Sequence, residues 1–286
     1  MPITRPMLAD TWEPELHKLK YPVFTSPKLD GIRVLCHPEL GPVTRKFKPL
    51  PNEYVRVTLS HPKFYGFDGE LMLPNGNFNN VQSAFMSRAG EPNFVYHVFD
   101  CFLQPEKPWI ERTRDILVNS DPSCAQWVEH YVCKNLDEVK RVESWALQQG
   151  YEGLMVRSPH GPYKSGRSTL REQWLLKLKR FKDAEGVVIG FVEQMHNANE
   201  LEEDELGYAK RSSHKANLKQ AGTLGKLVVH TRHWGEVNIG TGFTQEQRDT
   251  IWNNQLSYIN RTLTFKYQEV LKDKPRFPVF LGWRSD

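Results

Sequence analysis

Short apolar runs rich in Val, Phe, Tyr and Leu recur along the first part of the chain, at residues 21–25, 32–36, 67–73, 94–103, 127–133 and 153–156. Aromatic and β-branched side chains suit a pleated surface, and runs of this length bounded by turn residues predict strands. Helical patterns lie between them at residues 80–88, 109–118 and 136–149. In the last of these Leu136, Val139, Val142, Trp145, Ala146 and Gln149 keep helical spacing until Gly150 ends it. These patterns predict an α+β fold, with antiparallel sheets and flanking helices, over residues 1–183.

After Lys182 the texture changes to short β runs at residues 187–192, 224–231, 236–240 and 262–267, with one helical stretch at 244–253. This is the pattern of a small β-barrel of the oligonucleotide-binding type, expected over residues 184–286. A polar stretch at 193–222 interrupts it, acidic first (Glu200, Glu202, Glu203, Asp204, Glu205) and basic after (Lys210, Arg211, Lys215, Lys219). With few apolar residues to pack, it is expected to be a mobile loop inserted in the barrel.

The first chemistry-bearing signal is Lys28-Leu29-Asp30-Gly31-Ile32-Arg33. A lysine attacks phosphorus only as the neutral amine, so neighbouring cations and a metal would be needed to lower its pKa. Alone, the tetrapeptide could be a surface turn. Its weight comes from five downstream segments in a fixed order: Thr44-Arg45, Phe67-Asp68-Gly69-Glu70-Leu71, Tyr96-His97-Val98-Phe99-Asp100, Glu152-Gly153-Leu154-Met155-Val156-Arg157, and Leu175-Leu176-Lys177-Leu178-Lys179. Lys177 and Lys179 alternate by two, so on a strand both ammonium groups emerge on one face, where an intervening phosphate relieves their repulsion.

This ordered series resembles the covalent nucleotidyltransferase superfamily of DNA ligases, RNA ligases and mRNA capping enzymes, and the resemblance spans nearly the whole chain. The C-terminal Arg276-Phe277-Pro278-Val279-Phe280-Leu281-Gly282-Trp283-Arg284 looks like the last motif of minimal two-domain ATP-dependent DNA ligases of algal viruses, phages and bacteria. Too few residues precede Lys28 for a front DNA-binding domain, and the cysteine pairs of NAD-dependent ligases are missing. The resemblance implies sealing of nicks in duplex DNA, with ATP as donor and Mg²⁺, or Mn²⁺ in its place, as the metal.

The same resemblance implies the roles. Lys28 becomes the adenylylated nucleophile, with Asp30 beside it orienting the amine or the metal's water shell. Glu70 accepts from the ribose hydroxyls and Phe99 stacks on adenine. Glu152 lies at the metal, and Lys177 and Lys179 hold phosphate. Arg33 and Arg45 contact the sugar or the 5′-phosphate of the nick, and either Arg276 or Arg284 orients pyrophosphate. Apart from the resemblance, the charge of the 193–222 stretch leads to the expectation that its basic half, Lys210, Arg211, Lys215 and Lys219, contacts DNA phosphates. Motif spacing after Arg45 departs from the usual small residues, reading Lys46-Phe47-Lys48.

Charge alone says less, since Lys and Arg total 38 against 34 Asp and Glu, a balance compatible with an anionic partner without requiring one. Cys36, Cys101, Cys124 and Cys133 form no C-x-x-C pair, which argues against a zinc ribbon. His230 and His233 lack a third ligand nearby, so a metal site there is not expected. No apolar run is long enough to span a bilayer and the start lacks a signal pattern, so a monomeric cytoplasmic protein is expected, in the host cytoplasm if viral. Two other readings stay open: an RNA ligase or guanylyltransferase of the same superfamily, and a catalytically silent nucleic-acid-binding protein.

Overall fold

In a computed structural model the strands Gly41–Thr44, Ile32–His37, Phe67–Met72, Val95–Cys101 and Ala125–Trp127 stand side by side, in that order, as one five-stranded sheet. The structure describes residues 3–14, 18–74, 78–114, 116, 124–197, 201–203, 209–211, 218–268, 270–271 and 273–284. A second sheet runs Asp10–Thr11, Leu175–Lys179, Gly153–Arg157, Val23–Pro27 and Tyr131–Cys133. Most pairs are antiparallel, as expected. The edge pairs of Val95–Cys101 with Ala125–Trp127 and of Leu175–Lys179 with Asp10–Thr11 are parallel instead.

The first sheet buries one face under two helices, Glu53–Leu59 and Phe78–Met86. Val55, Leu59, Val81 and Phe85 there join Val34, Leu71, Tyr96 and Val98 in one core. Tyr96 is fully buried, and its hydroxyl donates to the Val34 carbonyl at 2.9 Å, which removes the cost of burying it unpaired. The helix Glu53–Leu59 has no counterpart in the sequence expectation because its Val and Thr content favours strand. Its Asn52 cap reverses that preference, accepting from Val55 N at 3.0 Å while its own amide donates to Ser87 and Gly90 carbonyls.

The second sheet buries its outer face under the helix Leu136–Gln148, whose Val139 and Ala146 pack with Leu154, Val156, Leu176 and Leu178. Asn135 caps the start by accepting from Glu138 N at 3.0 Å. At the far end Gly150 takes φ +84° and Tyr151 N donates back to Ala146 O, so the predicted stop is a left-handed C-terminal cap.

Residues 127–133, expected as one strand, divide between the two sheets. Val128 N still donates to Val98 O of the first sheet at 2.8 Å, while Tyr131 pairs with Thr25 of the second. An apolar run long enough for one strand serves here as a crossing between sheets. The helix expected at 109–118 is described over Trp109–Arg112, and residues 115 and 117–118 lie outside the described residues.

The chain divides into two compact units, with the main break between Lys179 and Arg180. In the second unit the strands Gly235–Ile239, Leu218–Thr231, Lys182–Asn197, Thr262–Tyr267 and Val279–Trp283 pair in that order, all antiparallel. A bridge between Thr241 and Val279 joins the two edges and closes the sheet into a barrel around Leu227, Val229, Ile239, Leu263, Phe265 and Phe280. The helix Gln245–Asn253 starts on a Thr244–Gln247 capping box and adds Ile251 to this core. Its Arg248 donates to the carbonyls of Leu224, Gly225 and Gly240 at 2.6 to 3.0 Å.

Where it is described, at 193–197, 201–203, 209–211 and 218–222, the 193–222 stretch is strand and not the loop expected; the rest of it, with Glu200, Asp204 and Glu205, lies outside the described residues. Lys182–Asn197 and Leu218–Thr231 run on into it as a two-stranded ribbon, pairing Met195 with Gln220, His196 with Lys219 and Asn197 with Leu218. Leu201–Glu203 and Ala209–Arg211 form a further pair. Polar composition misled the expectation because a ribbon needs only backbone pairing and no buried face.

Candidate active site

Lys28 comes directly after the strand Val23–Pro27, and its backbone N–H donates to Gly153 O at 2.9 Å, so the turn is pinned to the neighbouring strand. Close approach explains two glycines of the motifs. A β-carbon on Gly31 would lie 2.3 Å from Leu71 O, and one on Gly153, at φ +144°, would lie 2.1 Å from Leu178 O. Neither place accepts a side chain.

The tight packing brings Lys28 Nζ to 2.6 Å from Glu152 Oε2, and Lys179 Nζ to 2.8 Å from the same oxygen. Burial alone would push Glu152 up, but the charge of Lys28 and hydrogen bonds from Lys179 and Lys28 outweigh it and hold the carboxyl below its ordinary value. Lys177 emerges on the same strand face two residues earlier. Partial burial, with the charges of Arg167, Lys179, Lys28 and Arg45, pulls its ammonium below the ordinary lysine value.

Lys28 and Lys177 line a cavity of about 510 Å³ between the two sheets of the first unit, whereas Glu152 and Lys179 reach it only through their contacts with Lys28 and are not among its lining residues. Ser26, Lys28, Met155, Arg157 and Lys177 line it from one sheet, and Arg33, Glu70 and Phe99 from the other. Phe99 is the extra residue of a bulge, since Asp68 pairs with Asp100 but Gly69 with Val98. A bulge re-aims the side chain it carries, here into the cavity. Glu70 accepts from Gly31 N at 3.2 Å. Burial raises its carboxyl to about 7, against the opposing charges of Lys28 and Arg33.

Arg33 was expected to reach for sugar or a nick phosphate. Its guanidinium is instead engaged within the protein, donating to both Asp68 oxygens at 2.8 and 2.5 Å and to Met7 O at 2.7 Å, and its plane lies 5.5 Å from the Phe99 ring. Arg45 is exposed at the cavity rim. Asp30 is half-buried in the Lys28 turn and is not among the lining residues. In the second unit Arg276 lies over the Phe277 ring and Arg284 is paired with Glu185. Lys219 is exposed on the ribbon and Lys210 and Arg211 belong to the strand Ala209–Arg211. Lys215 lies outside the described residues.

Behind the cavity floor is a buried polar network that single-residue reading passed over. Asp68 also accepts from Tyr163 Oη at 2.7 Å, and Asp100 holds Arg112 at 2.8 and 3.1 Å together with Arg157. Asp68, Asp100 and Arg157 stand inside the sequence motifs, but their burial has no local signature. Met155 likewise stands inside a motif, whereas Ser26 and His130 stand outside all of them.

Among the described residues no group of three or more His, Cys, Asp or Glu could hold a metal. The Glu152 carboxylate is a hard oxygen donor, the kind that suits an ion such as Mg²⁺ binding through one or two carboxylates, phosphate oxygens and retained waters.

Residues 6–179 match the family model described as ATP dependent DNA ligase domain. The chain belongs to the ATP-dependent DNA ligase family. Residues 217–284 match a second model, the DNA ligase OB-like domain. The solved adenylate of the Chlorella virus DNA ligase is 32% identical, with alignment covering 100% of this chain and 99% of that one and a TM-score of 0.57. A DNA ligase of Haemophilus influenzae is 25% identical over 91% of this chain and 85% of its own length. The DNA ligase of an African swine fever virus isolate is 29% identical over 132 residues, 44% of this chain; the match covers 32% of the viral protein. The chain thus spans only about a third of the length of those viral relatives, and the α+β first unit and barrel second unit are the architecture that the family models name.

Proposed function

We propose that this ligase-family chain joins 3′-hydroxyl and 5′-phosphate ends in nicked duplex DNA through a lysyl-AMP intermediate on Lys28. The observation that carries the reading is Lys28, paired through Glu152 with Lys179, in the wall of a cavity sized for a nucleotide that Lys177, Phe99 and Glu70 also line. Lys28 Nζ attacks the α-phosphorus of ATP as the free amine, forming an N–P bond while pyrophosphate leaves. The nick's 5′-phosphate oxygen then attacks the same phosphorus and releases Lys28, giving a DNA-adenylate. Last, the 3′-hydroxyl attacks the 5′-phosphate and AMP departs.

Each displacement builds negative charge on non-bridging oxygens, which Lys177 and Lys179 neutralise from one strand face. Glu152 orients the Lys28 amine before attack and, once phosphate oxygens are at hand, would hold Mg²⁺ with them; when bound, the ion supplies charge neutralisation at phosphate. Phe99 stacks on the base and Glu70 accepts from the ribose hydroxyls. Arg45, exposed at the rim, is available to the nick phosphate, while Arg33 positions the Phe99 ring from beneath. Lys219 of the ribbon, with Lys210 and Arg211 of the strand Ala209–Arg211, tracks DNA phosphates.

The test is an adduct chase. Incubation with ATP labelled at the α-phosphate yields a protein–AMP band whose N–P bond is stable in alkali and labile in acid, and nicked duplex DNA discharges the label as AMP while sealed product forms. Lys28→Ala forms no adduct yet retains part of the sealing of a nick supplied already adenylated, because the third displacement does not use the amine. An adduct in Lys28→Ala would refute the assignment of the nucleophile. Label transfer from GTP, or discharge only by RNA nicks, would favour the guanylyltransferase or RNA-ligase readings.

A further inference from the structure

His130 stands in the cavity wall at the end of a row that crosses the second sheet. Lys177 pairs with Met155 and Met155 with Ser26, and since Thr25 pairs with Tyr131, the next position opposite Ser26 is His130. All four residues line the cavity. Three strand spacings separate the ends of the row, roughly 14 Å, which spans a phosphate, a ribose and a purine together with the side chains reaching toward them. With Lys177 at the phosphate end, His130 falls at the base end.

The imidazole is held in one orientation. Its centroid lies 4.8 Å from that of Trp109 and 5.1 Å from that of Trp127, and its Nδ1 is 2.6 Å from the Val128 carbonyl oxygen. A carbonyl only accepts, so Nδ1 carries the proton. In the neutral ring Nε2, directed away from Nδ1–H, is then an acceptor. Burial and the nearby Arg157, itself tied to Asp100 and lying over Trp109, push the imidazole down to about 3, so the ring stays neutral at physiological pH.

Resting on the reading that the cavity takes ATP, we propose that His130 Nε2 selects the nucleobase by accepting a hydrogen bond from the 6-amino group of adenine. Guanine presents an oxygen at that position, an acceptor facing an acceptor. Ser26, which donates or accepts, and Met155 cannot make that distinction.

His130→Phe keeps an aromatic ring against the two indoles and deletes both nitrogens. The experiment measures the efficiency of covalent protein–nucleotide formation, kcat/KM, with ATP and with purine riboside triphosphate, which carries hydrogen in place of the amine. The wild type prefers ATP by about tenfold, and in His130→Phe the preference falls to about one because ATP alone loses its partner. An equal loss with both triphosphates, the mark of a merely structural residue, overturns the proposal, as does a preference that survives the substitution. Absence of adduct from either triphosphate in the wild type would overturn the ATP reading and this inference with it. Nitrogen-15 NMR of the wild-type imidazole gives a second readout independent of the variant's folding: the Nε2 resonance moves on binding ATP and stays in place with purine riboside triphosphate. Movement with both, or with neither, overturns the proposal.

Discussion

Two ammonium groups on one carboxylate oxygen, with Lys28 at 2.6 Å and Lys179 at 2.8 Å from Glu152, make each member of the cluster depend on the others. Glu152→Gln removes the negative charge while keeping the shape, leaving two cations repelling across a short gap. Adduct formation with ATP is expected to fall about 10²-fold or more, a typical cost of losing one preorganised electrostatic contact, and rapid-quench kinetics would register it. Activity within a few-fold of wild type would remove Glu152 from the mechanism. Glu70 titrates in the opposite sense to a paired carboxylate. With its carboxyl raised to about 7 in the fold and near 4.5 when unfolded, its stabilising contribution is present in full below 4.5 and is lost as pH rises through 7. Relative to Glu70→Gln, the wild type should therefore gain unfolding free energy as pH falls from 7 to 4.5, by on the order of 2 kcal/mol. Denaturant titrations of both proteins across that range check it, and parallel pH profiles would contradict it.

At the scale of elements, the ribbon built from the ends of Lys182–Asn197 and Leu218–Thr231 leaves Gln194, Met195, His196, Lys219 and Gln220 all exposed. Strands without a buried face exist here for what they present. Replacing residues 194–221 with a short Gly-Ser turn is expected to leave Lys28 adenylylation nearly intact, because the cavity is lined wholly by residues of the first unit. Affinity for nicked DNA should fall and its salt dependence flatten by roughly one phosphate's worth per lost contact. Unchanged binding and an unchanged salt slope in a fluorescence titration would leave the ribbon without this role. The helix Glu53–Leu59 carries a different lesson. Its side chains prefer strand, and the Asn52 cap with the core contacts of Val55 and Leu59 decides otherwise.

Taken whole, the molecule has separate hydrophobic cores in its two units, Phe85 and Tyr96 belonging to one and Phe265 and Phe280 to the other. Truncating a buried phenylalanine costs about 3–5 kcal/mol in transfer and cavity terms. Phe265→Ala is thus expected to lower hydrogen-exchange protection in the barrel strands while leaving protection in the Glu70 and Phe99 strands within a few-fold of wild type. Phe85→Ala should do the reverse and weaken ATP binding, read by calorimetry. Protection lost equally throughout the chain in both variants would mean that the units unfold as one.

What the sequence by itself determined was local or ordered along the chain: the lysine turn at Lys28, the order of motifs downstream of it, the alternation that sets Lys177 and Lys179 on one face, and the change to short strands after Lys182. Periodicity and propensity act within a few residues, so they are legible without knowing what lies opposite. Tertiary structure decided which charges meet. Arg33 looks available in sequence and is taken up by Asp68 because Arg33 and Glu70 are register partners on adjacent strands, which sets Asp68 close by. The pairing of Lys28 with Glu152, the bulge that aims Phe99, and the placement of His130 against two tryptophans depend on strand register and on a crossing between sheets. A buried ionic or aromatic partner is chosen by the packing of segments distant in the chain, and no local pattern records that choice.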